Sequence, residues 1–133
     1  MRVLSVTIDG TEYIGIGISS IRRNATIKED GNSGWTIDGT YRRSITGTYY
    51  DYSMDFYSVN ADGETQDLYD QLHEVLSQPV NSHEIVVPYG SETLTFDAYI
   101  ESVTDSILRI RGDYVEWGKM SVTFKSITPI RTL

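Results

Sequence analysis

The sequence contains no cysteine, only two histidines and three prolines, and 11 basic residues against 19 acidic ones. Without thiols there is no disulfide framework and no thiolate metal site, and two imidazoles leave little from which to build another metal centre. No metal and no cofactor are therefore expected. No apolar run approaches the roughly 18 residues that a membrane helix requires. The opening Met1-Arg2-Val3-Leu4 lacks the longer apolar stretch and small-residue cleavage site of a secretory leader, so the expectation is a protein made and kept in the cytoplasm, away from membranes. A net charge of −8 repels phosphate backbones, which removes the electrostatic footprint of a nucleic-acid binder.

Catalytic signatures are missing as well. There is no Gly-x-Ser-x-Gly elbow and no Walker sequence, and Gly15-Ile16-Gly17 lacks the third glycine and following helix of a dinucleotide fingerprint. Asp30-Gly31-Asn32-Ser33-Gly34 begins like a calcium loop, but Trp35 stands where the turn glycine belongs and Tyr41 where the bidentate glutamate belongs. His73 beside a helical apolar stripe and His83 just before a strand read as structural residues. With 19 acids, close carboxylate pairs arise in any fold and carry no evidence of glycoside chemistry. No catalytic residue is assigned, no small-molecule substrate is expected, and the chain is read as a non-enzyme.

What the sequence does contain is one helical stretch among strands. In Thr65–Gln78, the residues Leu68, Leu72, Val75 and Leu76, with Tyr69 at the margin, share one face. Thr65 suits an N-cap, Asp67 the first turn, and Pro79 ends the helix for want of a donor. At about 1.5 Å per residue the helix is about 20 Å long, too short to bury its leucines alone, so it must lie across a sheet.

Strand signals fill the remainder. Residues 2–9 and 11–18 flank Asp9-Gly10, a strong signal for a two-residue type I′ hairpin. An extended run over 19–29 ends in the turn formers Asp30 to Gly34. Thr36-Ile37-Asp38-Gly39-Thr40 repeats the residues of positions 7–11, which predicts the same turn twice. From Tyr41 to Val59, Tyr50, Tyr52, Met54 and Phe56 alternate with polar or mixed positions, as in a strand with one side on a core, and Gly47 marks a bulge. Residues 84–89 and 93–103 pair around Tyr89-Gly90-Ser91, and 106–111 and 114–127 pair around Gly112-Asp113. The expected fold is one domain over 1–133, mainly β, an antiparallel sandwich or partly closed barrel flanked by a single helix.

Charge and aromatic content point to protein contacts. Arg22, Arg23, Lys28, Arg42 and Arg43 are five of the 11 basic residues, whereas residues 51–116 hold 14 acids against Arg109 and Arg111. Ten tyrosines and two tryptophans supply large contact faces with polar tips. The segment Glu29–Arg43 joins five turn-forming residues to Trp35, Ile37 and Tyr41, apolar groups that a purely solvated loop does not need. Trp35, Ile37, Tyr41, Arg42 and Arg43 are therefore the candidate assembly interface, with a partner carrying the acidic surface. Surface aromatics that stack on sugars, in a small carbohydrate-binding module, are the alternative.

Gly31-Asn32-Ser33-Gly34 with Asp38-Gly39, Gly47-Thr48-Tyr49-Tyr50, Val75-Leu76-Ser77-Gln78-Pro79-Val80, Val87-Pro88-Tyr89-Gly90, Thr93-Leu94-Thr95-Phe96 and Trp117-Gly118 together resemble a family of small prophage proteins. That family is encoded among tail and other virion genes of tailed phages. The resemblance spans nearly the whole chain, and its motifs are turn and packing residues. It implies a structural virion subunit with the sandwich-plus-helix fold of tail-tube and baseplate proteins. It further implies partners in other copies of itself, as a ring or tube, and in other virion proteins. Its location would be the host bacterial cytoplasm during assembly and the virion tail afterwards.

Overall fold

The computed structural model describes residues 6–13, 16–58, 63–112 and 114–132. Asp9 and Gly10 take φ of 51° and 84°, both positive as a type I′ turn requires, and join β1 (Thr7–Ile8) to β2 (Thr11–Glu12). The expected continuation of that hairpin to residue 18 does not occur, because Ile16 starts a new strand with a different partner. Residues 2–5 and Gly15 lie outside the described residues. β3 (Ile16–Glu29) pairs antiparallel with β6 (Ile45–Ser58), and between them β4 (Gly34–Trp35) and β5 (Tyr41–Arg42) form a separate two-stranded sheet. The strand expected over 41–59 is thus two elements. Arg43 and Ser44 interrupt it, and Val59 lies outside the described residues.

α1 (Gly63–Leu76) follows, then β7 (His83–Tyr89), β8 (Glu92–Arg111) and β9 (Tyr114–Ser126). The seven-stranded sheet has the order β2-β1-β7-β8-β9-β6-β3 and is antiparallel throughout. Residues 93–103 and 106–111 prove to be one strand, β8, whose period-two pattern is broken by register shifts at Ile100/Val103, Asp105/Ile107 and Ile107/Arg109. Of the expected Gly112-Asp113 turn, Asp113 lies outside the described residues.

The sheet rolls over on itself without closing. Tyr52 on β6 donates its hydroxyl to the Pro88 carbonyl on β7 at 3.0 Å, and the Tyr50 and Tyr89 hydroxyls lie 3.0 Å apart. Two strands stand between β6 and β7, so a flat sheet would separate them by about 14 Å at about 4.8 Å per step. The Arg23 guanidinium on β3 also sits 5.1 Å from the centre of the Tyr89 ring on β7. Across the open seam, Ile8 of β1 and Ile16 and Ile18 of β3 meet Phe56 and Leu72 with no room for a water molecule. Mainly β, with an unclosed antiparallel sheet and one helix, is the architecture expected from sequence.

The helix seals that seam. Tyr69, Leu72 and Leu76 are almost completely buried, whereas Leu68 and Val75 are only partly so. Tyr69 therefore belongs at the centre of the buried face rather than its margin. Its hydroxyl makes this possible by donating to Asp105 Oδ2 at 3.2 Å, and burial first, then the Asp105 charge, push its pKa well above the ordinary phenol value. Because α1 begins at Gly63, Thr65 stands in the first turn and is not the cap, and the side chains of Thr65 and Asp67 lie outside the described residues. At the other end Ser77 donates from Oγ to the His73 carbonyl at 2.7 Å, two residues before Pro79.

Gly17 and Gly47 each mark a close approach. A Cβ on Gly17 would fall 2.2 Å from Cζ of the Tyr57 ring, and one on Gly47, at φ 153°, would fall 2.6 Å from the Arg131 carbonyl oxygen. Gly47 also marks the register shift between Lys28 and Glu29, so the bulge expected there is present. The C-terminal segment crosses Gly47: Thr48 N–H donates to the Arg131 carbonyl at 2.8 Å and Ile130 N–H donates to the Thr48 carbonyl at 2.8 Å. Leu72 is 1% exposed at the centre of the seam. Leu72→Ala is expected to cost about 2 to 5 kcal/mol, read as a lower denaturant midpoint at unchanged slope; a loss under about 0.5 kcal/mol would show that α1 does not cover the core.

Candidate functional site

Strand register places the segment between β3 and β6 beyond the core. Tyr50 N–H already meets Ser126 Oγ, at the end of β9, so Ile45–Tyr49 and their β3 partners run on with no β9 beside them. Residues 30–44 form the head of this two-stranded arm.

The head is braced by local polar contacts. Asp30 Oδ1 accepts the Asn32 N–H at 2.9 Å, and its Oδ2 accepts the Ser44 hydroxyl at 2.7 Å. Ser33 Oγ accepts the Ser44 N–H at 2.7 Å, and the Asp30 N–H donates to the Ser44 carbonyl at 3.1 Å. Glu29 takes the Arg43 Nε–H on one oxygen at 2.5 Å and the Tyr41 hydroxyl on the other at 2.9 Å. At the tip, Asp38 accepts the Thr36 hydroxyl and, at 3.3 Å, the Thr40 N–H. The glycine-rich run thus supports an ordered hairpin rather than irregular chain.

The two Thr-Ile-Asp-Gly-Thr sequences do not form the same turn. At 7–11 the strands pair directly across Asp9-Gly10, whereas at 36–40 the Thr36 N–H donates to the Thr40 carbonyl across three residues and only Gly39 has positive φ, 85°. The difference is set by partners: Asp9 accepts the Glu84 N–H at 2.9 Å and holds His83 Nδ1 at 2.6 Å, while Asp38 has only its own turn. His83 is buried in that clamp, which ties β1 to β7 and agrees with its structural reading.

The candidate residues are together and outside the core. Trp35 is 75% exposed and Ile37, at the tip, fully so, while Tyr41 leans on Trp35 with ring centres 5.1 Å apart. Arg42 is exposed on β5; Arg43, expected to face a partner, is instead spent on Glu29 within the arm. Two other aromatics of β6 are dispersed: Tyr49 carries the Lys28 ammonium 4.4 Å from its ring centre, and Tyr57 covers Gly17. A groove of about 330 Å³ on the outer sheet face, lined by Ser53, Asp55, Glu101, Ser121 and Lys125 among others, holds no aromatic ring. Its polar groups bond one another, Ser121 Oγ to Asp55 Oδ1 at 2.6 Å and Lys125 Nζ to Glu101 Oε1 at 3.6 Å. Among the described residues, no group of three His, Asp or Glu side chains is placed to hold a metal ion.

Sequence reasoning missed a second exposed patch. Ile107, Leu108 and Ile110, near the end of β8, are 50%, 57% and 70% exposed. Sequence places them in a strand over 106–111, and the bulges at Asp105/Ile107 and Ile107/Arg109 lie where consecutive isoleucine and leucine are both exposed.

No family model and no curated protein matches the chain. Among solved structures it is similar to the phage SPP1 Dit protein (gp 19.1), described as a paradigm of the hub adsorption apparatus in phages infecting Gram-positive hosts, with 15% identity and a TM-score of 0.49 over 96% of this chain. The chain spans about half of that protein, 51% of its length.

The arm carries its own pH dependence. Hydrogen bonds from Arg43 and then Tyr41 hold the Glu29 pKa below its ordinary value, the Asn32 N–H and Ser44 do so for Asp30, and Thr36 and the Thr40 N–H do so for Asp38. A depressed carboxylate contributes stability that is complete above its unfolded pKa, about 4, and disappears as pH falls through the lower folded value. In a Trp117→Phe chain, Trp35 emission is therefore expected to stay constant from pH 8 to about 5 and to change below about 4; a transition centred near neutrality would assign the arm's order to other groups.

Proposed function

We propose that this chain is a non-enzymatic, self-assembling structural subunit of a tailed-phage or prophage virion, a tail-tube or baseplate component. The observation that carries the reading is the braced arm of residues 30–44, which presents Trp35 and Ile37 to solvent at the end of a two-stranded stalk. An ordered arm loses little conformational entropy on docking, and its bare apolar tip contributes nothing to the subunit's own core. The resemblance to small prophage proteins along nearly the whole chain supplies the virion context. Its partners are then other copies of itself, in a ring or tube, and neighbouring virion proteins. Its place is the host bacterial cytoplasm during assembly and the tail of the particle afterwards.

Head-to-tail contact follows from the charge division. Each copy offers the arm, with Arg42 beside the aromatic tip, to the acid-rich surface of the next, and such heterologous contacts close a ring if the rotation allows. A net acidic lumen would let DNA pass without adhering.

Replacing residues 30–40 by a short Gly-Ser link is expected to leave cooperative unfolding within about 1 kcal/mol of the parent while abolishing rings or tubes in sedimentation and negative-stain images. If the shortened chain does not fold, the segment belongs to the core; if it folds and still assembles, the arm is not the contact.

A further inference from the structure

The two long hairpins project from opposite ends of the rolled sheet. In the β6–β9 register Asp51 faces Lys125 and Phe56 faces Met120, so β6 runs toward the Tyr114 end of β9 and away from the arm at its own start. The last β6–β9 pair is Phe56 with Met120, and beyond it Tyr114–Trp117 are paired with β8. The β8–β9 hairpin is therefore a second arm, opposite in direction to the first.

We infer that the Ile107, Leu108 and Ile110 stripe on this second arm is the seat into which the Trp35–Ile37 tip of the next copy docks. This rests on the arm reading above and adds to it the receiving surface. Three observations favour a second copy as the occupant. The patch lies at the pole opposite the tip, which is the geometry a repeating head-to-tail contact requires. A Cβ at Gly118 on β9 would lie 3.7 Å from Leu108 Cβ, so the absent side chain leaves a shelf beside Leu108 on which an aromatic ring can rest. At the root of the same arm, Asp70, Glu74 and Asp105 line one groove of about 400 Å³ with Tyr69 and His73, and the first arm brings Arg42 on β5. An Arg42 contact to these acids adds one opposite-charge pair to the contact area that the apolar groups supply. Ile107, Leu108 and Ile110 are all exposed in the isolated subunit, so burying them costs no existing packing.

The test uses two blocked chains. In chain one, Leu108→Lys with Ile110→Lys replaces the apolar seat by charged side chains; in chain two, residues 30–40 are replaced by the Gly-Ser link. Each alone is expected to be monomeric and folded by sedimentation and thermal melting. Mixed in equal amounts they are expected to form one-to-one dimers and nothing larger, because chain one retains its arm and chain two retains its seat. Rings or tubes formed by the lysine chain alone would overturn the seat and leave the arm with a landing site elsewhere, and a mixture that stays monomeric with both chains folded would overturn the docking of this arm into this seat. Assembly by chain two alone would remove the arm reading itself. As the natural sequence has no cysteine, Ile37→Cys and Leu108→Cys single variants give a second measurement that does not depend on the lysine chain folding. On mixing and oxidation, a disulfide-linked heterodimer favoured at least tenfold over either homodimer is expected, and equal amounts of all three species would overturn the docking.

Discussion

A strand climbs about 3.3 Å per residue and a helix about 1.5 Å, and that mismatch governs this molecule. The single helix and the strands β3 and β6 each contain 14 residues. The helix therefore covers about 21 Å of strands that reach about 46 Å, and β8, with 20 residues, reaches further still. A core sealed by one such helix has a fixed depth, and strand beyond that depth has nothing to bury against. The excess emerges at both ends because the register offsets β3 and β6 one way and β8 and β9 the other. Both arms are thus consequences of how the core is closed, and Trp35, Ile37, Ile107, Leu108 and Ile110 on them stay largely exposed.

Rolling the sheet, rather than adding a second layer, sets the chemistry of the interior. Tyrosines serve at the crossing of β6 over β7 because that junction needs both apolar bulk and a hydroxyl able to satisfy a strand-end carbonyl, as Tyr52 does for Pro88. Tyr69 plays the corresponding role at the seam, where its hydroxyl reaches Asp105. The buried His83 of β7 and the exposed Asp9 that holds it fasten two strands of two residues each that pairing alone would not retain. Tyr52, Tyr69 and His83 thus hold the roll together through their polar atoms.

Much of this was legible in the sequence where the signal is local. Asp9-Gly10 signals its hairpin turn, the alternation from Tyr50 to Phe56 reports one buried face, and Leu72 and Leu76 report the helix stripe. The failures share a cause, which is that their deciding contacts are remote. Tyr69 looks marginal until Asp105 supplies its hydroxyl with an acceptor, and Arg43 looks available until Glu29, 14 residues earlier, takes it. The repeated Thr-Ile-Asp-Gly-Thr takes two forms because only one copy finds His83. β8 reads as two strands because its bulges shift the alternation, and the direction of each arm is a property of register, which no short window of residues contains.

The distinction between a solvated loop and an assembly element turns on what the head of the first arm spends its polar groups on. Glu29, Asp30, Ser33, Asp38 and Ser44 bond the head to itself, so none of them is needed to meet water or a ligand. A flexible loop gains nothing from such bracing, since each internal bond restricts chain freedom without adding to the core. Bracing is useful when it holds something in position, and what it holds is Trp35 against Tyr41 with Ile37 beyond them at the turn. The same reasoning explains the C-terminal segment, which passes over Gly47 and pairs with Thr48 at the point where the stalk leaves the roll. A stalk that holds its tip in position requires a fixed base as well as an ordered head. The absence of a side chain at Gly47 is what lets the terminal segment lie close enough to provide it.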